Sequence, residues 1–445
     1  EVVNKTEKTP ISRFGLKRPI KISHQPLVRE FPDPATVIPR DMNVGIKKKG
    51  DIYELKFGFF KKDGKTDGPF IGSLHIDEEY LKDSLIRVRK CLEDIATSKT
   101  FKTQLECDNS EFREKFHKLA YEGCRLWNLL FKSEHDGAMF SIGKWLKDNP
   151  LPEDSIIQIS FEDKGSTDFI FPWALLYDKE LPEKVYDKKL DLNGFWGTRY
   201  CIEQLLCPTS CKRDGAVSTD NKKLRLCYMF CGKFVEYTQD QQKFFEGFAD
   251  SNSGRFEING PIISAEACCD LLKTCDCDCD ILYFFAHGQT RDRQTNKDTY
   301  IELAGGKVYL ERLKSKYDDV RDWKAMPIVF LNTCELGEVT PTFSNDSFVK
   351  FFLDRGASCV IGTECTMSAV FAHHFAKEFF KGLLGGESVG KAALKASRDF
   401  MMDGKTNNLL GLAYTIYGSV TTYFDPPPIQ RPAETGSMGR TSGNG

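Results

Sequence analysis

The sequence predicts an α/β fold: a mostly parallel central sheet flanked by helices, with an N-terminal half of mixed α/β character packed beside it. Three observations carry this. Two short apolar, aromatic-rich runs, Ile281 to Gly288 and Ile328 to Gly337, each stop abruptly in small or polar residues, as buried central strands do. From Leu224 onward strand-like and helix-like stretches alternate, the pattern of parallel strands joined by helical crossovers. The 445 residues are 40% hydrophobic and 28% charged, an ordinary globular composition long enough for a large core.

Residues 1–45 carry Pro10, Pro19, Pro26, Pro32, Pro34 and Pro39 with little periodicity, which predicts an extended arm. An N-terminal α/β half follows over 46–223. In it, 51–60 alternates like an edge strand and KKDGKTDG supplies a turn. Residues 77–96 and 109–130 read as amphipathic helices, and 141–148 as a further helical turn. Residues 156–161 form a strand, and 172–178 a packed aromatic corner. The loop-rich, charged stretch 179–223 reads as a boundary exposed to proteolysis, with self-cleavage there as one hypothesis.

The catalytic domain is expected over 224–424. A strand at 224–231 leads to a helix at 236–249, and a helix at 264–275 leads into the strand ending at His287. Residues 300–303 and 307–310 form a hairpin around Ala304-Gly305-Gly306. A helix at 344–354, a strand at 358–364 and helices at 368–384 and 388–402 complete the domain. Residues 425–445, rich in Pro, Gly and Ser, form a flexible tail.

Charge and segment length narrow the function. The net charge of −2 gives no global reason for nucleic-acid binding. No apolar run reaches the length of a membrane span and no leader-like apolar segment opens the sequence, so a cytoplasmic protein is expected. The sixteen cysteines, several inside strands as small hydrophobes, read as thiols of a reducing compartment. The alternating Cys and Asp at 275–280 lack zinc-site spacing, and no phosphate-binding loop is present. No metal or cofactor is expected. His373 and His374 lie on a helix whose Phe371, Phe375, Phe379 and Leu383 stripe reads as core.

One pair carries chemistry. His287 ends one central strand and Cys334 ends another, 47 positions later, near the histidine-to-cysteine spacing of about fifty described for caspases. An imidazole beside a thiol can take its proton and supply a thiolate nucleophile. Gly288 and Cys334, read as lying on turns at one sheet edge, offer backbone N–H groups to an oxyanion. Glu364, ending the next strand in sequence, is a candidate carboxylate wall for an Arg or Lys before the scissile bond, or else a helix cap or surface carboxylate. Asn332 and Glu335 adjoin the cysteine, with strand alternation read as pointing Asn332 away from the histidine.

The strings YFFAHG, VFLNTCELG and VIGTE, with PWALLYD at 172–178, YIELAGGKVYLERL at 300–313 and NLLGLAYTIYG at 408–418, resemble in order the segments of the CHAT family of caspase-like cysteine peptidases, relatives of caspases and separase. The resemblance implies a caspase-like three-layer sandwich and endopeptidase cleavage by a His287/Cys334 dyad. It also implies a protein substrate such as a gasdermin-like pore former, an upstream sensor or activator, and a role in bacterial immunity or cell death. Nucleic acid would enter only indirectly. Cys365 and Ser368 stand where many members carry a tryptophan and an acidic residue, which departs from the family's usual substrate groove. The alternative is a catalytically silent scaffold on the same fold; a transpeptidase would share the dyad.

Overall fold

In the computed structural model the described residues are 38–425, except 51, 61–65, 133–136, 163–170, 182–189, 207–213, 219–222, 253, 274–277, 290–298, 316–322, 335–346 and 403–405. The pro-rich arm up to residue 37, the Cys-Asp stretch as far as 277, and the tail beyond 425 therefore lie outside the description.

The N-terminal half opens with β1 (Met42–Lys49), β2 (Ile52–Phe60) and β3 (Thr66–His75), followed by α1 (Glu78–Ala96), α2 (Asn109–Phe131) and α3 (Gly137–Asp148). The first strand starts inside the expected arm, where Met42, Val44 and Ile46 alternate as buried positions. Asp77 and Asp108 cap α1 and α2 by accepting backbone N–H bonds, which fixes where each begins. Phe57 meets Phe131 of α2 and Phe59 meets Trp145 of α3, so the helices cover one face of these strands.

After β4 (Ile156–Phe161) the 172–178 corner packs as expected, with Trp173, Leu175, Leu176 and Tyr177 buried. The region expected as boundary loop is more ordered than its charge suggested. It contains the short α4 (Trp196–Arg199), β5 (Cys201–Leu205) and β6 (Ala216–Ser218), because Phe195 and Trp196 anchor it against Phe116 and Trp127.

The second half runs β7 (Leu224–Phe230), α5 (Val235–Ser251), β8 (Phe256–Ile262), α6 (Ala265–Lys273), β9 (Ile281–Gln289), β10 (Tyr300–Leu303), β11 (Gly306–Tyr309) and α7 (Leu310–Ser315). It continues with β12 (Ile328–Cys334), α8 (Phe348–Asp354), β13 (Cys359–Thr363), α9 (Ala369–Leu384), α10 (Val389–Met402), β14 (Tyr414–Gly418) and β15 (Tyr423–Asp425). On one face, Tyr283 of β9 packs on Phe245 of α5 and Phe380 of α9; on the other, Phe284 meets Phe352 of α8. These contacts make the three layers expected from the sequence.

The two halves do not pack side by side as expected but share one 13-stranded sheet. Its path runs β11-β10-β9-β12-β13-β14-β5-β4-β1-β2-β3, with β7 paired to β8 and β9. Strands β7, β9, β12 and β13 are parallel, β14 is antiparallel to β13, and β5, β4 and β1 follow β14 in parallel. Beside the joint lies a buried ion cluster. Arg40 Nε donates to Glu203 of β5 at 2.8 Å and its Nη1 to Asp214 at 2.6 Å, while the Val420 N–H and the Ser419 hydroxyl donate to the same two carboxylates.

The cysteines correct a further expectation. Cys227 of β7 is disulfide-bonded to Cys279, just before β9, with Cα atoms 6.1 Å apart. Adjacent parallel strands bring the two thiols within bridging reach, which composition alone did not reveal. Cys231 and Cys359 remain buried free thiols, as read from the sequence.

Candidate active site

Chain order places the site before any side chain does. From β7 the chain passes through α5 to β8 on one side, then through α6 to β9 on the other side of β7. This reversal opens a crevice outside the carboxyl ends of β7 and β9, where open α/β sheets bind ligands. The histidine strand ends there.

Parallel pairing of β9 with β12 starts at Ile281 with Ile328 and closes at His287 with Cys334. The two residues are therefore register partners at the last rung of one ladder, with strands about 4.8 Å apart. His287 is half-buried and engaged by neighbouring groups. The ladder with β12 stops at this pair, but β9 itself continues, and β10 pairs antiparallel with its end: His287 with Glu302, Gly288 with Ile301 and Gln289 with Tyr300. Gly288 thus occupies a ladder position rather than the expected turn.

Asn332 is two residues before the end of β12. Its Nδ2 donates to the Ala372 carbonyl of α9 at 2.7 Å and to the Tyr283 hydroxyl at 3.2 Å, and its Oδ1 accepts from the Tyr414 hydroxyl at 2.8 Å. The expectation that it points away from the histidine is wrong in parity. Asn332 meets Tyr283, and the two-residue repeat of β9 puts positions 283, 285 and 287 on one face. Its amide nevertheless serves packing, tying β12 to α9 and β14.

Glu364 also departs from expectation. Its Oε2 accepts from Arg89 Nε of α1 at 2.9 Å, its Oε1 accepts from the Thr415 hydroxyl of β14 at 2.7 Å, and it is 1% exposed. Both oxygens are committed inside the core, so the carboxylate has no free edge for a substrate's Arg or Lys. The structure makes it a tie between the end of β13, helix α1 and strand β14. Ser368 caps α9 through the Phe371 N–H, and Cys365 is buried, its thiol pushed well up by burial.

His373 lies in the α9 core stripe, as read from the sequence. Its Nε2 is 3.0 Å from Asp240 of α5 and Tyr237 lies over its ring, while burial pushes the imidazole down to about 4. Among the described residues no group of His, Cys, Asp and Glu could hold a metal ion, and no helix is long and apolar enough to cross a membrane.

The sequence reading missed the residues around the histidine on the hairpin side. Glu302 accepts from Lys233 Nζ at 2.9 Å, and that ammonium holds the carboxyl below the usual range. The signal was present in the hairpin, because an antiparallel strand beside β9 must set one of its residues opposite the histidine.

Fold and register together define a three-layer α/β protein whose candidate site sits at the carboxyl edge, where the ends of β9 and β12 meet. Residues 217–430 match the family model described as "CHAT domain". Two crystal structures of the Saccharomyces cerevisiae separase–securin complex are similar over 86% of this chain at 11% identity, with TM-scores of 0.43 and 0.46. The chain spans 30% of the separase chain in each. No curated protein matches.

Proposed function

We propose that the chain is a cysteine endopeptidase in which His287 and Cys334 form the catalytic dyad. The observation that carries this reading is their register pairing on the last rung of two neighbouring parallel strands, beside the switch-point crevice. In the reaction the Cys334 thiol gives its proton to the His287 imidazole and the sulfur adds to a peptide carbonyl. The imidazolium then protonates the departing amine as the C–N bond breaks, leaving a thioester that water hydrolyses. Backbone N–H groups of Cys334 and Gly288 serve as oxyanion donors in this reading. Gly288 supports it by lying one residue beyond the end of the β12 ladder.

The substrate is a protein. A gasdermin-like pore former cut under control of an upstream sensor, in an immunity or cell-death setting, is the specific version, and it rests on the family resemblance alone. A randomised peptide library cut by the wild type, Cys334→Ala and His287→Ala and read by mass spectrometry tests the dyad. Cuts that vanish in both variants support it; cuts that persist in Cys334→Ala sink it. Offering a gasdermin-like protein in the same assay tests the narrower version, which fails if library peptides are cut and that protein is not.

A further inference from the structure

The histidine of the proposed dyad has a charged neighbour on the side away from the cysteine. In the antiparallel pairing of β9 with β10, Glu302 is the register partner of His287. Directly opposed residues of such a pair project to the same face with Cβ atoms about 4.5–5.5 Å apart. His287 therefore stands between Cys334 on one strand and Glu302 on the other.

The carboxylate is fixed rather than loose. Lys233, in the turn that follows β7 at the switch point, donates to its Oε2 at 2.9 Å, and the Glu302 side chain is 24% exposed. Lys233 itself leads from Cys231, whose sulfur accepts the Lys233 N–H. The segment after β7 is thus tied both to β9, through the Cys231 N–H on the Phe285 carbonyl, and to β10, through Lys233 on Glu302.

The electrostatics agree. His287 contributes to holding the Glu302 carboxyl low, after the larger effect of the Lys233 hydrogen bond. That interaction places the two charged groups within electrostatic reach of each other across the β9–β10 ladder. Glu302 of β10 and Cys334 of β12 are the histidine's register partners, Lys233 is bonded to Glu302, and Cys231 donates its backbone N–H to Phe285, two residues before the histidine. Lys307 of β11 acts on Glu302 from the far side of the hairpin. Farther out, His373, His374 and Lys377 of α9 and Asp240 of α5 interact among themselves.

We propose that Glu302, braced by Lys233, is a positioning residue for His287. Its charge favours the imidazolium that forms when the thiol gives up its proton, and its place in the ladder limits how the ring turns. The proposal rests on the dyad reading for its catalytic meaning but not for its electrostatic content. No bond is made or broken at Glu302.

The test uses the full chain with carbon-13-labelled histidine. The His287 signal, among seven histidines, is assigned by comparison with His287→Gln. In Glu302→Gln the His287 titration midpoint is expected to fall by about half to one pH unit. The acidic limb of kcat/KM for Cys334-dependent cleavage, set by the imidazole that must be neutral to take the thiol proton, should move down with it. Lys233→Met should move both upward. A folded Glu302→Gln in which neither moves overturns the proposal. If that variant does not fold, a Lys233→Met without an upward move overturns it. If the midpoints shift while wild type and Cys334→Ala cut peptides alike, the pairing stands and the peptidase reading fails.

Discussion

At the scale of single residues, the most instructive carboxylate is Glu364. A charge this deep is tolerable only while paired, because desolvation costs several kcal/mol and Arg89 with Thr415 offsets it. Arg89→Met should lose about 3–5 kcal/mol of stability, since it strands the carboxylate. Arg89→Met with Glu364→Gln should recover much of that. Urea unfolding of the three proteins checks it; equal losses in single and double variants would mean that the pair carries little coupling. His373 gives a second prediction with a pH sign. Its folded midpoint of about 4 lies below the unfolded value near 6.5, so protons favour the unfolded chain between those limits. The neutral, buried form is fully favourable above about pH 6.5, and up to about 3 kcal/mol should be lost as pH falls toward 4. His373→Gln should flatten the urea midpoint over that window, and an unchanged slope would refute the assignment. That His287 and Cys334 end their strands was legible because abrupt ends of apolar runs mark strand termini. Glu364 was misread because sequence shows where a strand ends but not what docks on it: Arg89 is 275 residues away.

At the scale of elements, β14 carries more than its five residues suggest. Its Tyr414 stacks on Phe375 at 3.7 Å and bonds Asn332, and its Thr415 bonds Glu364. Gly418 ends it with φ of +99°, and a Cβ there would lie 2.5 Å from the Ser358 carbonyl. Gly418→Ala therefore combines a left-handed backbone with a backbone clash and should cost at least about 2 kcal/mol. Thermal unfolding measures it, and a loss below about 0.5 kcal/mol would show that β13 and β14 shift freely there. Elements differ in how plainly the sequence showed them. Helices α1, α2 and α9 have capping residues and apolar stripes, so their ends were readable within a residue or two. The strand β8 was not, since Phe256–Ile262 contains Gly260 and Pro261 and sits at an edge where only one neighbour supplies a ladder. β5 was hidden for another reason. It buries Glu203 and Gln204, and Glu203 fits a strand interior only because Arg40 and Gln158 both donate to its carboxylate.

At the scale of the molecule, the sequence showed the layers after Leu224 better than their junction with the rest. Alternating strands and helices after Leu224 predicted the layering, whereas the joining of two halves into one sheet depends on pairings between segments some two hundred residues apart, such as Ile416 with Glu203. No local pattern encodes which distant edge a strand will choose. The ion cluster of Arg40, Glu203 and Asp214 has the same non-local origin, with Arg40 163 and 174 positions from its two carboxylates. Because β14 lies between β13 and β5 and follows both in the chain, the sheet is joined by a strand synthesised after the two it connects. Until residues 414–418 leave the ribosome, β13 and β5 each present an open edge of unpaired backbone groups. The nascent chain thus passes through a long interval in which both halves exist and neither has its neighbour, and the newest residues seal the seam.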